Sequence, residues 1–213
     1  MKRWKFSNTI QKYIDGKLKL STYQKIGILM LVVVFSGFIG WVWEFGLNEI
    51  SGGFKHLYIK GGNFLPWINI YAYGALLVMV ITYKFRQKPW AVFIISAIAC
   101  GLLEWLAGWL VYTFGDGTRY WDYTKDWWGF GSINGFVCPL SVTVFGLGSL
   151  LLIYGLLPFC ILLAKKMSRR EFLILSITLF VLVITDDVTN LTLKNLGLPT
   201  AMNFYESIGW VYK

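Results

Sequence analysis

The sequence predicts an all-α integral membrane protein with five transmembrane helices, its N-terminus inside and its C-terminus outside. Three observations carry this expectation. The chain is 56% hydrophobic and 15% charged, whereas soluble domains run at roughly 45–50% apolar and about 25% charged; mean hydropathy is +0.58. Five apolar segments each approach the roughly 20 residues that cross a bilayer. Lys and Arg gather in alternate connections, as they do in cytoplasmic loops.

Residues 1–25 form a basic cytoplasmic segment, with seven Lys and Arg between Lys2 and Lys25 against the single acid Asp15. Its apolar positions Trp4, Ile10, Ile14 and Leu18 recur at helical spacing with lysines between them. That pattern suits a short helix lying on the inner membrane surface, where anionic lipid attracts lysines. A disordered basic leader is the alternative reading. No small-residue cleavage site follows a short apolar run, so no signal peptide is expected.

Residues 26–213 read as one polytopic membrane domain. Its five spans are expected at about Ile26–Phe45, Pro66–Tyr83, Trp90–Phe114, Ile133–Ala164 and Phe172–Leu191. The fourth is overlong, and Pro139 and Pro158 are expected to start, kink or stop it. With the N-terminus inside, the inner connections hold Lys84, Arg86, Lys88, Lys165, Lys166, Arg169 and Arg170. The outer segments hold only Lys55, Lys60, Arg119, Lys125, Lys194 and Lys213.

An internal repeat is also expected. Helix 1 carries Glu44 in GWVWEF and helix 3 carries Glu104 in GLLEWL. Each is followed by an outer loop rich in Gly and aromatics, then by PWINIYAYGALL or PLSVTVFGLGSLL. Helices 1–2 and 3–4 would then be parallel copies about an axis along the membrane normal. The similarity is thin, and chance likeness of two apolar stretches is the competing reading.

Polar residues within apolar helices mark the candidate site. A charge at the bilayer centre costs about 2.5–3.5 kcal/mol on insertion scales, so such groups turn towards each other or towards water. Glu44 is expected near the outer end of helix 1 and Glu104 deeper, in the outer half of helix 3, with Asn48, Asn69, Asn134, Cys138, Asp186, Asp187 and Asn190 at comparable outer depth. They predict a polar cavity lined by helices 1, 3 and 5 under two outer loops. Glu104 is the sharpest candidate, as a carboxylate handling a proton, a cation or a substrate headgroup. The plainer reading is a structural acid, either protonated, as burial favours, or paired with Arg119 or a helix-end amide. Arg119 and Asp122, three apart in TRYWDY, are expected to pair within a turn. The run of Tyr120, Trp121, Tyr123, Trp127 and Trp128 suits an interfacial anchor.

Other chemistry finds little support. No G-x-x-x-x-G-K-[ST] occurs, so no P-loop ATP hydrolysis is expected. The single histidine, His56, cannot build a metal site, and no metal-ligand spacing or catalytic triad is present. Cys100, Cys138 and Cys160 sit in apolar runs as small hydrophobes. Nothing calls for a cofactor, and the net charge of +9 is placed for a membrane surface rather than for nucleic acid.

Several stretches resemble one bacterial family, the CmpB-type ABC-transporter type IV membrane proteins. SGFIGWVWE (Ser36 to Glu44) is similar to its S-x-x-G-W-x-x-E, and IYAYGA (Ile70 to Ala75) to its I-Y-G-x-G-A. LLEWLAGWLVYTFGDGTRYWDY is similar to its second helical Glu followed by W-D-Y-S, and NGFVC with Phe145 and Gly146 sits where the family has G-x-x-C and W-G. Asp186 falls near a late Asp of its last helix. The chain departs from the pattern at three places. The loop Arg of N-R-G-F-L is absent, with Lys60 the nearest basic residue. Asn69 stands for the Pro before Ile-Tyr, and Thr124 for the Ser after W-D-Y.

The resemblance implies a multi-pass bacterial inner-membrane permease or transport-associated subunit. Its implied partners are the lipid bilayer and a separate ATPase subunit or another membrane protein. Glu44, Glu104, Arg119, Asp122, Asn134 and Asp186 are the expected binding residues. A membrane enzyme acting on lipid or cell-envelope substrate, and a non-catalytic scaffold or sensor, are the alternatives.

Overall fold

A computed structural model describes residues 5–52, 63–115, 117, 119, 121–125 and 129–209. Tyr120, Asp126, Trp127 and Trp128 of the aromatic run lie outside them, as do Lys55, His56, Lys60 and the side chain of Asn48. The described chain is helical, and its one β-type pairing is the isolated bridge between Ile133 and Val137. Helices α1 to α8 cover Lys5–Ile14, Thr22–Gly52, Asn69–Thr82, Pro89–Phe114, Pro139–Leu151, Leu157–Lys166, Arg169–Asn195 and Ala201–Ser207. A 3-10 turn, Tyr83–Phe85, extends α3, and a π turn, Leu152–Leu156, joins α5 to α6.

Four stretches are helical, long and apolar enough to cross a membrane: Thr22–Gly46, Pro89–Phe114, Pro139–Lys166 and Arg169–Asn195. The second expected span is shorter, with its apolar helix limited to Asn69–Phe85. Residues 63–68 leave the helix because other groups claim their backbone. The Leu65 carbonyl accepts from the Trp67 amide at 2.7 Å, and the Ile68 amide donates to Gly37 O of α2 at 3.1 Å. Irregular backbone is tolerated beside apolar helices only when protein groups satisfy it in this way.

The chain divides into two compact units, Leu18–Leu76 with Leu156–Lys213, and Met1–Lys17 with Leu77–Gly155. In the first, α2 packs on α6 and α7. Its core joins Val33 and Val34 of α2, Trp67, Ala72 of α3 and Val183 of α7. Trp67 is 2% exposed, and its indole donates to Val33 O at 3.2 Å. Its ring lies where a Cβ on Gly37 would be, so only glycine lets α2 accept it. Ser168 caps α7 by accepting from the Glu171 amide, and the Glu171 carboxylate takes the Ser168 amide in return. That reciprocal cap starts the last long helix within the basic KKMSRR stretch, at Arg169.

In the second unit α4 packs on α5. The contact is close because Gly101 of α4 faces Val142 of α5, and Gly108 likewise faces Phe136 of the turn before α5; in each case the neighbouring atom lies 2.8 Å from the position of an added Cβ. Pro139 opens α5, where its missing N–H costs nothing. Cys138 caps the helix through its thiol, which accepts from the Ser141 amide at 3.4 Å. The overlong fourth segment therefore begins as a helix at Pro139 and not at Ile133. Pro158 cannot donate to the carbonyl four residues before it, and the helix widens into the π turn just ahead of it.

The N-terminal helix belongs to this second unit. Tyr13 of α1 is 2% exposed and donates its hydroxyl to Ile153 O at 3.1 Å. That carbonyl lies in the π turn, where regular helical bonding is interrupted.

Candidate functional site

Glu104 stands on α4, half-buried, with both carboxylate oxygens engaged. Tyr123 donates its hydroxyl to Oε1 at 2.8 Å. Ser141, the third residue of α5, reaches Oε2 at 2.8 Å. Hydrogen bonds to a charged group contribute about 1.5–3 kcal/mol each. Two of them are comparable to the insertion cost of the carboxylate, so an ionised Glu104 is physically tolerable here. Where a partner was expected in Arg119 or a helix-end amide, two hydroxyls stand instead.

The Ser141 hydroxyl has one proton and two calls on it. Its oxygen accepts from the Cys138 amide at 3.2 Å and lies 2.8 Å from Glu104 Oε2 and 2.9 Å from Cys138 O. With Glu104 ionised the proton bonds the carboxylate. With Glu104 protonated, the acid can donate to Ser141 and the hydroxyl turns to the Cys138 carbonyl. Loading and unloading one proton therefore needs no movement of heavy atoms.

The W-D-Y-T turn places Tyr123 against this carboxylate. Asp122 Oδ1 accepts from the Thr124 amide at 3.1 Å and its hydroxyl at 2.6 Å, closing a tight turn. These bonds from Thr124 first, and then the nearby Arg119, hold the Asp122 carboxyl below the usual range. Thr124 thus supplies the hydroxyl that serine would. The Tyr123 amide donates to Gly135 O at 3.0 Å, and the Trp121 indole to Phe136 O at 2.8 Å. Burial, then the Glu104 charge, push the Tyr123 hydroxyl well above its ordinary value, so it stays a donor.

Arg119 pairs with Asp122 at 3.6 Å as expected. It also donates to Asn134 O at 2.8 Å and lies over the rings of Tyr112 and Phe136 at 4.8 and 4.7 Å. Asn134, exposed, adopts φ +55°; it enters this cluster through its carbonyl. Gly135 follows at φ +75°, and its missing side chain leaves room for the Arg119–Asp122 pair. Glu104, Arg119, Asp122 and Asn134 therefore belong to one construction, linked by Tyr123, Ser141 and the NGFVC turn.

Glu44 and Asp186 belong to the other unit. Glu44 Oε1 accepts from the Tyr71 hydroxyl at 2.7 Å, and Tyr71 is the third residue of α3. Its ring fills the space above Gly40. Asp186 is not aimed at open space. Oδ1 takes the Phe64 amide at 3.0 Å and the Asn190 amide group at 2.8 Å, and Oδ2 takes the Leu65 amide at 2.7 Å. Asp187 Oδ1 accepts from Asn69 at 3.1 Å, which gives the residue in place of the family's proline a bond no proline could make. Asn190 in turn accepts from the Ala201 amide at the start of α8. The end of α7 anchors the 63–69 segment and α8, and the bonds to Asp186 give it a holding role.

Tyr71, Tyr123 and Ser141, which bond the two glutamates, are absent from the expected site. Tyr71 lies in the IYAYGA motif, the one sequence signal that could have drawn attention to it. Among the described residues no cluster of His, Cys, Asp and Glu could hold a metal ion.

Apolar helices of membrane-crossing length, with carboxylates bonded by hydroxyls from the following segments, define an α-helical membrane protein. A family profile described as "Putative ABC-transporter type IV" matches residues 30–191, and the chain belongs to that family. No curated protein and no solved structure matches it.

Proposed function

We propose that the chain is a multi-pass, permease-like subunit of a bacterial inner-membrane transport system, working with a separate ATPase. Glu104 is its proton- or cation-handling carboxylate. The observation that carries this reading is the pair of hydroxyls on Glu104, from Tyr123 and Ser141. They satisfy both carboxylate oxygens within an apolar helix, and one of them can reverse its bond when the acid is protonated. A residue needed only for packing would be served as well by an apolar side chain.

Glu44 is the matching group of a parallel repeat. In both units a helical glutamate accepts from a hydroxyl three residues into the next helix, Tyr71 in α3 and Ser141 in α5. Ser36 and Ser96 each stand eight residues before their glutamate, and both are buried with a hydroxyl that reaches no partner among the described residues. The short apolar helix Asn69–Phe85 supplies the fifth crossing with the help of residues 63–68. This keeps the basic connections on the inside.

Purification from native membranes in mild detergent tests the subunit role. An ATP-hydrolysing protein is expected to accompany the chain in fixed ratio. A chain that purifies without ATP hydrolysis from membranes where it is abundant would overturn the reading.

A further inference from the structure

Arg86 sits in the connection between α3 and α4, where basic residues usually only mark the inner face. Here it has a second task. Its Nε donates to Tyr13 O at 2.8 Å and its Nη1 to Tyr83 O at 2.5 Å. Its guanidinium lies 4.1 Å from the centre of the Tyr83 ring. Tyr154 donates to the Arg86 carbonyl at 2.8 Å, fixing the backbone of the clamp. Gly16, at φ +74°, ends α1, and an added Cβ there would lie 2.5 Å from Arg86 Nη2. Arg86 therefore grips the carbonyl end of α1, where a helix carries partial negative charge.

A ten-residue helix is marginal on its own, and this grip removes much of the ordering cost. The gripped helix exposes Lys12, and Lys17 follows it, also exposed. Lys84 and Lys88 flank Arg86 and are exposed too, and Lys88 immediately precedes the first residue of the apolar α4. The acid of this stretch, Asp15, is already bonded by the Gln11 amide at 2.9 Å. Ile10 and Ile14 are half-buried on the same helix. Exposed lysines around the start of a membrane-length helix, beside an amphipathic helix, match the charge of lipid phosphates.

We propose that α1 and the Arg86 turn form a preorganised binding surface for anionic phospholipid. The four lysines contact the headgroups, and Arg86 and Tyr13 hold the helix in the interface plane. Hydrogen exchange of the α1 amides tests this on the full-length protein in nanodiscs of phosphatidylcholine, with or without phosphatidylglycerol. Phosphatidylglycerol is expected to slow exchange by about fivefold or more, the equivalent of one lysine at a charged surface. The K12Q/K17Q/K84Q/K88Q variant is expected to lose that difference while exchanging like the wild type in phosphatidylcholine, and high salt is expected to reduce it. Equal exchange of the wild type in both discs would overturn the proposal and leave this face to a protein partner. A difference that survives in the lysine variant would overturn it as well.

Discussion

Tyr123 donates its hydroxyl to Glu104 across 19 positions of sequence, at 2.8 Å. The bond ties a loop outside the apolar helices to a carboxylate within one of them. The Asp122–Thr124 turn and the Tyr123 amide bond to Gly135 O support that placement, so the turn and the acid should respond to change together.

Removing either hydroxyl tests the shared site. Tyr123→Phe and Ser141→Ala are each expected to cost about 1–3 kcal/mol of stability, read as a lower unfolding temperature in detergent. The double variant should cost less or more than the sum, because both act on one carboxylate. Strict additivity would show that the two bonds are independent.

Alkaline pH should weaken the same bond. The Tyr123 hydroxyl is raised above its ordinary value of 10.0. A raised group contributes stability that is present below its unfolded value and lost as pH rises through its folded value. Phenolate absorbance titrations of the wild type and Tyr123→Phe should therefore differ only well above pH 10.0. An earlier difference would contradict the burial of this hydroxyl.

At acid pH the turn itself should open. The Asp122 carboxyl is lowered from 3.8, so its contribution is present above that value and disappears as pH falls through the folded one. Loop amide exchange should accelerate below pH 3.8, and Asp122→Asn should remove much of that response. Thr124→Ser keeps the hydroxyl and should behave as the wild type, whereas Thr124→Val loses it and should raise loop exchange already at neutral pH.

Asp186 should matter for holding a segment in place. Its replacement by Ala leaves the Phe64 and Leu65 amides without their acceptor; the exposed Phe64 amide can turn to water, and the part-buried Leu65 amide carries the cost, about 1–3 kcal/mol. Exchange at Phe64 and Leu65 should rise sharply with little change at Tyr123. Unaltered exchange at Phe64 would remove Asp186 from the anchoring role.

Much of this architecture was legible in the residues. Apolar length and low charge identify the membrane helices, and a carboxylate inside one of them draws attention to Glu104. Partners were harder to read, because a loop's register depends on its turns. Tyr123 sits in an aromatic run that suits an interfacial anchor, yet the Asp122 turn and the Gly135 carbonyl direct it onto Glu104. Asp186 reads as a polar group near a helix end, and only the path of residues 63–68 shows what it holds. Arg86 counts as one more inner charge until Tyr13 is found against it. The shortened α3 was equally hidden, since Pro66 to Ile68 are as apolar as the helix that follows.

The most direct test joins function and folding at Glu104. ATP hydrolysis and unfolding temperature should be measured on the same purified complex carrying Glu104→Gln, which keeps the shape and removes the titrating proton. The expected result is a loss of stimulated hydrolysis of about tenfold or more with the unfolding temperature nearly unchanged. Full hydrolysis in that variant, or a loss that merely follows unfolding, would contradict Glu104 as the working carboxylate.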